Sequence, residues 1–373
     1  MNGLSALGSR RSACRTAAES RERRAYGGGP ARGREPRAAV RAALCAVALL
    51  SACSLNSHQS ALSASGPQAG KIESLWWFAL WTATAVYVVT VAALLYAAFH
   101  RRRHAGTPVV DVPRESHRGA LAWVLWSVLA TVLVLLAFLV VDLYTARSLA
   151  ALERPRAMHV KVNARQWWWE VQYVDSVPSR TLTTANEIHI PVGRPVLVEL
   201  TSADVIHSFW VPNLHGKRDN IPGARNRLWI QADTAGVYRG ECAEFCGYQH
   251  AKMAFLVIAE PQEKFDQWYA EQLADATPPT DSLRKKGQDV FLARACAVCH
   301  AVRGTPAAGR VGPDLTHLAS RRTLASGTIP NTRGHLGGWV VNAQSIKPGS
   351  QMPSVNLDPD ELKALLAYLE GLK

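Results

Sequence analysis

Residues 242–253 read CAEFCGYQHAKM, so two thiols, an imidazole and a thioether lie within twelve residues of chain. A second imidazole, that of His207, precedes this stretch in DVIHSFWVP at residues 204–212. Soft sulfur ligands together with imidazole are typical of copper sites, and zinc seldom recruits a thioether. The pattern predicts a copper centre; a disulfide between Cys242 and Cys246 is the alternative that an oxidising compartment would permit.

The sequence around this motif has the pattern of an all-β domain over residues 155–262. Short runs of alternating apolar and polar residues are separated by Gly, Pro and Asp, as in sandwiches and barrels. The predicted strands include 187–190, 195–200, 227–230, 236–240 and 253–258. Such a fold can bring His207 beside a loop that begins 35 residues later, which a local motif cannot do.

A second cofactor motif lies near the C-terminus. Cys296-Ala-Val-Cys299-His300 is the signature by which two thiols attach a haem and the adjacent His ligates its iron. Met352, in GSQMP at residues 349–353, is predicted as the second axial ligand, since no other Met follows Met253. This tail, residues 283–373, resembles a class I cytochrome c, which is all-α.

The haem prediction has alternatives. The two thiols of residues 296–300 could serve as a redox dithiol or as half of a zinc site, although the adjacent His favours haem. His317 and His335 compete with Met352 for the second axial position, and are otherwise surface or packing residues.

Two apolar runs precede the β domain, at 75–99 and 120–141. Each is long enough to span a hydrocarbon core of ~30 Å. Trp residues lie near the start of each run, and an Arg cluster lies between them, which predicts a cytoplasmic loop. Residues 54–144 are therefore predicted to form a transmembrane hairpin with everything after it outside; a buried hairpin of a soluble protein is the alternative.

Residues 1–53 read as a basic leader with a signal peptide. The short apolar run at 42–50 follows Arg37 and Arg41, and LSAC at 50–53 resembles a lipoprotein cleavage site. Cleavage there would leave Cys53 lipidated and outside the membrane, in agreement with the charge of the loop. A plain signal peptide or an uncleaved segment is the alternative.

The charge distribution limits the possible partners, and the proline content marks the segment between the cofactor domains. The net charge is +13, but residues 1–41 hold ten Arg against three Glu, so no single basic face is indicated and no nucleic-acid partner is expected. An amphipathic helix at 260–274 and a linker with paired prolines, together assigned to residues 263–282, are predicted to connect the two cofactor domains.

The order of these motifs resembles subunit II of cytochrome c oxidase, in the variety with a fused C-terminal class I cytochrome c domain, over about 300 residues from Leu75. The resemblance implies a multi-domain membrane protein with an N-terminal two-helix transmembrane hairpin, an all-β cupredoxin-like Greek-key domain and an all-α cytochrome c domain. It implies a bacterial inner membrane, with the copper and haem domains on the outer, periplasmic face.

The resemblance also implies a dinuclear copper centre, called CuA, in which both thiolates bridge two copper ions. His207 and Met253 would complete one copper, and His250 and the backbone carbonyl of Glu244 the other. The implied ligands are therefore His207, Cys242, Glu244, Cys246, His250 and Met253. A site with no open position carries electrons and does not bind a reactant.

Three further roles follow from the resemblance. Trp167, in RQWWWE at residues 165–170, would be the residue through which electrons enter; otherwise its indole is one of several that alternate between core and surface. The Glu244 carboxylate would contact a magnesium ion at a subunit interface. Asp204 would polarise that region or act as a turn residue.

The implied function is that of a cytochrome-c oxidase, a proton-translocating oxidoreductase. Electrons would pass from a donor through the covalent haem to the copper pair and on to subunit I, where oxygen is reduced to water. Expected partners are subunit I, subunit III, membrane lipid, and a donor that is a cytochrome c or a quinol–cytochrome c reductase.

Two positions depart from the family pattern. Ala120 occupies the place where many members carry a Glu at the mouth of a proton channel, and Glu115 lies five residues earlier. Ala224 stands where an Arg is usual, with Arg225 beside it. The first departure leaves the proton-uptake role of this chain open.

Three other functions share parts of this sequence pattern. Nitrous oxide reductase shares the copper site but needs a large catalytic domain, for which residues 1–157 are too short and too apolar. A membrane copper carrier or assembly factor would need no covalent haem. A nitric oxide reductase subunit with the same copper motif remains an alternative that gas-uptake assays would separate.

Overall fold

The structure is a computed structural model and describes residues 59–103, 117–151 and 157–373. The predicted leader with Cys53, and Glu115 in the loop between the apolar runs, lie outside these ranges. The described residues all fall within one compact unit.

Two long helices begin the described chain, α1 (Pro67–Arg103) and α2 (His117–Ala150). Both are long and apolar enough to cross a membrane, and their apolar windows are not buried by the rest of the chain. They pack on each other where the Phe78 and Phe138 rings lie 4.9 Å apart. Exposed apolar faces of this size contradict the alternative of a buried hairpin in a soluble protein. The helices extend beyond the predicted apolar runs because they continue into polar flanks.

The middle of the chain forms two five-stranded sheets that face each other. The first has the order β3-β2-β1-β5-β8 and the second β4-β10-β9-β6-β7. Most neighbours are antiparallel, but β1 pairs with β5, and β4 with β10, in parallel. The strands are β1 (Met158–Arg165), β2 (Trp168–Val174), β3 (Leu182–Ala185), β4 (Glu187–Pro191), β5 (Val196–Ser202), β6 (His207–Trp210), β7 (Arg218–Asn220), β8 (Asn226–Ile230), β9 (Gly236–Cys242) and β10 (Ala254–Glu260).

Alternation along the strands builds the core between the sheets. In β1 every second residue is buried, namely Val160, Val162 and Ala164, because successive side chains point to opposite faces. By contrast, β10 is buried along nearly its whole length. Its first residue, Ala254, exchanges two hydrogen bonds with Ser326 of the C-terminal domain, so that domain covers one end of the strand.

The C-terminal domain is helical, as predicted. Asp281 caps one helix, and Asp358 forms a capping box with Glu361 at the last. Gly287 lets these two helices approach, since a Cβ there would lie 2.1 Å from the Ala364 carbonyl oxygen. Before this domain, the helix α3 (Gln262–Leu273) packs Phe265 against the β core. The elements of the C-terminal domain are α4 (Ser282–Ala293), α5 (Cys296–Cys299), β11 (Thr323–Leu324), β12 (Ile329–Pro330), α6 (Arg333–Val341), α7 (Ala343–Ile346) and α8 (Pro359–Leu369).

The C-terminal domain is fastened to the β domain by buried polar contacts. The carboxylate of Glu187, on β4, accepts hydrogen bonds from the backbone N–H groups of Arg322 (2.8 Å) and Thr323 (2.9 Å). On the copper-motif loop, Gln249 Nε2 donates to the carbonyl oxygen of Pro348 at 2.6 Å. These contacts hold the haem motif and the copper motif on the same side of the molecule.

Candidate copper and haem sites

Five predicted copper-binding side chains come together in the structure. The Sγ atoms of Cys242 and Cys246 are 3.7 Å apart. His207 Nδ1 lies 3.8 Å from the Cys242 sulfur, and His250 Nδ1 lies 3.8 Å from the Cys246 sulfur. Met253 Sδ is also 3.8 Å from the Cys246 sulfur. The sulfur and imidazole atoms therefore form one continuous cluster.

The β fold assembles this cluster from two distant segments. His207 begins β6 and Cys242 ends β9, and these strands pair through Phe209 and Cys242. The loop after Cys242 then closes on itself, because the Cys242 N–H donates to the Met253 carbonyl oxygen at 3.0 Å. Both ends of the ligand loop are thus anchored in the sheet.

An acidic neighbour orients the His207 ring. Asp204 Oδ1 accepts from His207 Nε2 at 2.8 Å, which turns Nδ1 towards the Cys242 sulfur. A carboxylate behind a ligating imidazole fixes its tautomer and orientation. Burial lowers the pKa of His207, but its hydrogen bonds to Cys242 and Asp204 outweigh burial and raise that pKa overall. Asp204 therefore orients His207, a role different from both the polarising group and the turn residue that the sequence predicted.

The donor set fits copper. The thiols of Cys242 and Cys246 are free, so the alternative of a disulfide does not hold in this structure. Contact with Cys246 lowers the pKa of the Cys242 thiol, which favours the thiolate that a metal requires. His207, Cys242 and Cys246 place their ligand atoms within 4.8 Å of one another, which suits a metal site built from soft donors. The Glu244 carbonyl, 3.2 Å from the Cys242 sulfur, lies at the same edge.

The haem motif lines a largely apolar cavity of about 210 Å³ in the C-terminal domain. Cys296, Cys299, His300 and Met352 all lie in its wall. His300 Nδ1 donates to the Pro313 carbonyl oxygen at 2.7 Å, which leaves Nε2 free to ligate iron. Burial lowers the pKa of His300, so its imidazole is neutral, as a metal ligand must be.

The Met352 segment is held in place by one side chain. Gln344 Nε2 donates to the carbonyl oxygens of Ser350 and Met352, each at 2.8 Å. Gln344 Oε1 accepts from the Gly349 N–H at 2.8 Å. A ligand on a loop needs such support, because no helix or strand fixes where the thioether lies.

The cavity also has features that suit a haem in particular. A Cβ at Gly312 would lie 2.5 Å from the His300 ring, so this glycine gives the imidazole room. Among the described residues, the buried Nε of Arg321 has no hydrogen-bond partner, and Arg321 lies in the cavity wall. An anionic substituent on the bound group would supply the missing partner. An apolar wall that includes the cations of Arg321 and Lys347 fits a haem better than it fits a bare redox dithiol.

The other candidate axial ligands do not lie in this cavity wall. Both nitrogens of His317 are hydrogen-bonded, Nδ1 to the Lys373 carbonyl oxygen at 2.7 Å and Nε2 to that of Ala274 at 3.0 Å. His335 is exposed and interacts with Thr332, which caps α6. Both are packing or capping residues, which leaves Met352 as the predicted partner of His300.

Trp167 lies between the two sites. Its Nε1 donates to the Cys246 carbonyl oxygen at 2.9 Å, while its side chain lines the haem cavity. Gly247 makes this approach possible, because it has a φ of +108° and a Cβ there would lie 3.2 Å from the Trp167 ring. The next two indoles alternate as strand residues do: Trp168 is half-buried beside Arg165, and Trp169 is fully buried in the core.

Sequence reasoning missed two residues around Trp167. Gln166 Nε2 donates to the Cys246 carbonyl oxygen at 2.8 Å, alongside the indole. Lys347 Nζ donates to the Trp167 carbonyl oxygen at 2.6 Å from the C-terminal domain. Gln166 stands inside the RQWWWE run and could have been noted, whereas no local pattern marks Lys347.

The magnesium prediction finds no support. The Glu244 side chain is exposed. Within residues 59–103, 117–151 and 157–373, the groups of His, Cys, Asp and Glu that could hold a metal are limited to the copper cluster. The comparisons below do not point to magnesium either.

Comparisons with sequence families cover both cofactor domains. The family described as "Cytochrome C oxidase subunit II, periplasmic domain" matches residues 158–260. The family described as "Cytochrome c" matches residues 284–373. The two matches contain the copper motif and the haem motif, respectively.

Individual relatives extend the likeness to most of the chain. A cytochrome c oxidase subunit 2 from Alkalihalophilus pseudofirmus is 34% identical over 331 residues, which are 87% of this chain and 94% of that protein. One from Bacillus sp. (strain PS3) is 31% identical over 294 residues, 74% of this chain and 80% of that protein. The crystal structure of the periplasmic domain of cytochrome oxidase subunit II from Bradyrhizobium japonicum is 30% identical, with a TM-score of 0.30, over 32% of this chain and 95% of that one.

Proposed function

Because the chain belongs to the cytochrome c oxidase subunit II family and ends in a cytochrome c domain, we propose that it is the electron-accepting subunit of a respiratory haem-copper oxidase. When bound, the covalent haem and the copper pair would each take up and release one electron, from an external donor towards subunit I. The chain is thus part of a cytochrome-c oxidase, and membership of the family implies copper, haem c and a subunit I partner.

The residues that would hold copper are those of the sulfur and imidazole cluster. Cys242 and Cys246 would bridge the two ions, and His207, His250, Met253 and the Glu244 carbonyl would complete them. The support is the contact geometry, in which each side chain already meets a sulfur atom. Soft donors and a closed ligand loop suit a centre that carries electrons.

The residues that would hold haem line the C-terminal cavity. Cys296 and Cys299 would form the thioether bonds, with His300 and Met352 as axial ligands. A Met opposite a His gives a haem a relatively high reduction potential. That suits a group that must be reduced by a donor before passing charge on.

One observation carries the proposal: a single indole connects the wall of the haem cavity with the copper loop. Trp167 lines the cavity and donates from Nε1 to the carbonyl of Cys246, a bridging ligand in the proposed site. This geometry gives an electron a path of one side chain and one hydrogen bond between the two sites. We therefore assign Trp167 as the residue through which electrons reach the copper pair.

The wider assignments belong to the same proposal. The chain would lie in a bacterial inner membrane through α1 and α2, with the cofactor domains outside, and proton translocation would occur in subunit I. Subunit III and a cytochrome c or a quinol–cytochrome c reductase are the further proposed partners. Ala120, on α2, offers no carboxylate for proton uptake. Lipidation of Cys53 remains a prediction.

The decisive test is Cys242→Ser in the assembled oxidase. We expect loss of the near-infrared absorbance of the copper centre and loss of oxygen uptake, with an unchanged haem c spectrum. The change removes one bridging sulfur and leaves the haem domain intact. Oxygen uptake that survives with ascorbate and a mediator would show that electrons bypass the copper site. Uptake of nitric oxide in place of oxygen by the unaltered complex would favour the nitric oxide reductase alternative.

A further inference from the structure

A lysine is buried at the junction of the two cofactor domains. Lys347 follows α7 and is only 2% exposed. Its Nζ donates to the Trp167 carbonyl oxygen at 2.6 Å and to the Ala325 carbonyl oxygen at 3.1 Å. The ammonium group of this haem-domain residue therefore binds the residue that contacts the copper loop.

Lys347 binds Trp167 through a different atom from the one that contacts the copper loop. The Trp167 indole is bound by the Cys246 carbonyl, and its backbone carbonyl is bound by Lys347. Lys347 and Trp167 also share the wall of the haem cavity. Hydrogen bonds from both domains thus determine where this one residue lies.

A lysine side chain is destabilising at this buried position. Burying an ammonium with only carbonyl partners costs free energy that an apolar side chain of similar length would not incur. Burial accordingly lowers the pKa of Lys347 to about 7. A buried ionisable group at a cavity wall indicates a role beyond packing.

Neighbouring cation contacts between the domains do not bury an ammonium group. Lys252, on the copper loop, donates from Nζ to the Ile346 carbonyl oxygen at 2.5 Å, but its side chain is exposed. Arg239 reaches the Gly327 carbonyl oxygen at 3.3 Å elsewhere on the interface. Both fasten the domains, yet neither touches Trp167. Lys347 differs because its hydrogen bond ends on the residue assigned to electron transfer.

We propose that Lys347 is a positioning residue for electron transfer between the haem domain and the copper domain, acting by holding Trp167 against both sites. The inference rests on the proposed function. The step it serves is a one-electron oxidation at the haem site coupled to a one-electron reduction at the copper site. No covalent bond forms or breaks in it, and no proton changes place.

The effect of the Lys347 charge on the two reduction potentials must be distinguished from its effect on the position of Trp167. The ammonium lies between the two sites, so removing it lowers both reduction potentials in the same direction. Redox titration of both centres measures the difference in potential that drives the transfer. A transfer that is slower in a neutral variant at an unchanged difference reports lost positioning of Trp167.

The test measures one electron transfer in the assembled, metal-loaded oxidase. The haem is reduced by a light pulse, and the decay of its reduced spectrum is followed together with the near-infrared band of copper. We expect Lys347→Met to slow this transfer at least tenfold with unchanged haem and copper content. Arg239→Met, which removes a cation–carbonyl bond at the same interface but away from the copper loop, should stay within twofold of the unaltered protein. Redox titration of both centres gives the driving force.

The outcomes separate this inference from the proposed function. If the unaltered protein shows no transfer from haem to copper, the proposed function fails. If it transfers rapidly and Lys347→Met matches it, only the role of Lys347 is overturned. Equal slowing in Arg239→Met would likewise overturn it, because general loosening of the interface would explain the effect. Lys347→Gln, a neutral donor, is expected to give an intermediate rate and serves where the Met variant accumulates poorly.

Discussion

At the copper site the ligands already touch one another, whereas at the haem site they surround a cavity. Neighbouring sulfur and imidazole atoms lie 3.7–3.8 Å apart in the copper cluster. The haem ligands are spread around a volume of about 210 Å³. One site is a compact cluster whose sulfur ligands belong to the β core, and the other is a gap within a helical core.

This difference indicates which cofactor contributes more to the stability of its domain. The β core packs between two sheets and includes the ligands Cys242, Cys246 and Met253, but its bulk comes from side chains that do not bind copper, such as Trp169, Phe209 and Phe255. The helical domain encloses its cofactor, since Phe291, Leu336 and Leu365 line the haem cavity and also belong to that domain's core. The haem is therefore expected to stabilise its domain far more than copper stabilises the β domain.

The largest expected effect is on the haem domain when haem cannot attach. In the double variant Cys296→Ser and Cys299→Ser, isolated without haem, the empty cavity of about 210 Å³ should cost up to about 5 kcal/mol. That approaches the whole stability of a small domain. We expect protease cleavage within residues 284–373 and loss of helical signal.

Copper removal provides the contrast. Cys242→Ser should leave the protease resistance of the β domain nearly unchanged, because the ligand side chains already pack against one another and leave no large cavity without copper. Circular dichroism and limited proteolysis of both proteins measure the difference. Equal resistance of the haem-free and copper-free proteins to proteolysis would contradict the expected difference between the two sites.

The second prediction concerns ligation within the cavity. Met352→Ala removes the proposed thioether ligand and should lower the haem reduction potential by on the order of 0.1 V, since axial ligands set this potential. Redox titration of the haem band measures it, and the copper potential should not move. Val355→Ala, which also alters the cavity wall, is the matched control. An unchanged potential in Met352→Ala would reject Met352 as the ligand.

The smallest effect is expected at an ion pair of the β domain that involves neither cofactor. Glu260 accepts from His189 Nδ1 at 2.9 Å, and the His189 ring stacks on Trp268 at 4.0 Å. The hydrogen bond from His189 holds the pKa of Glu260 below its ordinary value of 4.5. A lowered carboxyl pKa contributes stability above pH 4.5 that is lost as the pH falls through the folded-state value.

Glu260→Gln should remove this acid-linked contribution, which is less than about 1 kcal/mol for a partly exposed pair. Thermal melting of the β domain at pH 7 and pH 4 should show the two proteins differing at pH 7 and converging at pH 4. Glu263→Gln, at an exposed position of α3, is the control. A gap that widens on acidification would contradict the assigned direction.

The sequence predicted the fold class well, and family membership confirms the resemblance. Periodicity located the strands to within about two residues, as in Gly236–Cys242 for the predicted 236–240. The helix Pro67–Arg103 began earlier than the apolar run at 75. Hydropathy stops where polar residues begin, but the backbone hydrogen bonds of a helix continue through them. Such boundaries are not encoded in apolar content.

The ligand residues could be predicted because the chemistry of soft metals and haem attachment limits which side chains serve, and at what spacing. His207, 35 residues before Cys242, needed the family pattern as well, since only strand pairing brings the two together. Lys347 could not be predicted at all. It lies 180 residues from Trp167 in the chain, and its role arises solely from contact.

The sequence by itself determined the donor types, the apolar spans and the order of the domains, because each depends on residues close together in the chain. Only the tertiary structure decided that the haem cavity shares Trp167 with the copper loop. That arrangement results from packing between two domains, and the packing rests on dispersed contacts such as those of Glu187 and Lys347. Contacts between residues far apart in sequence leave no periodic or local pattern from which they could be read.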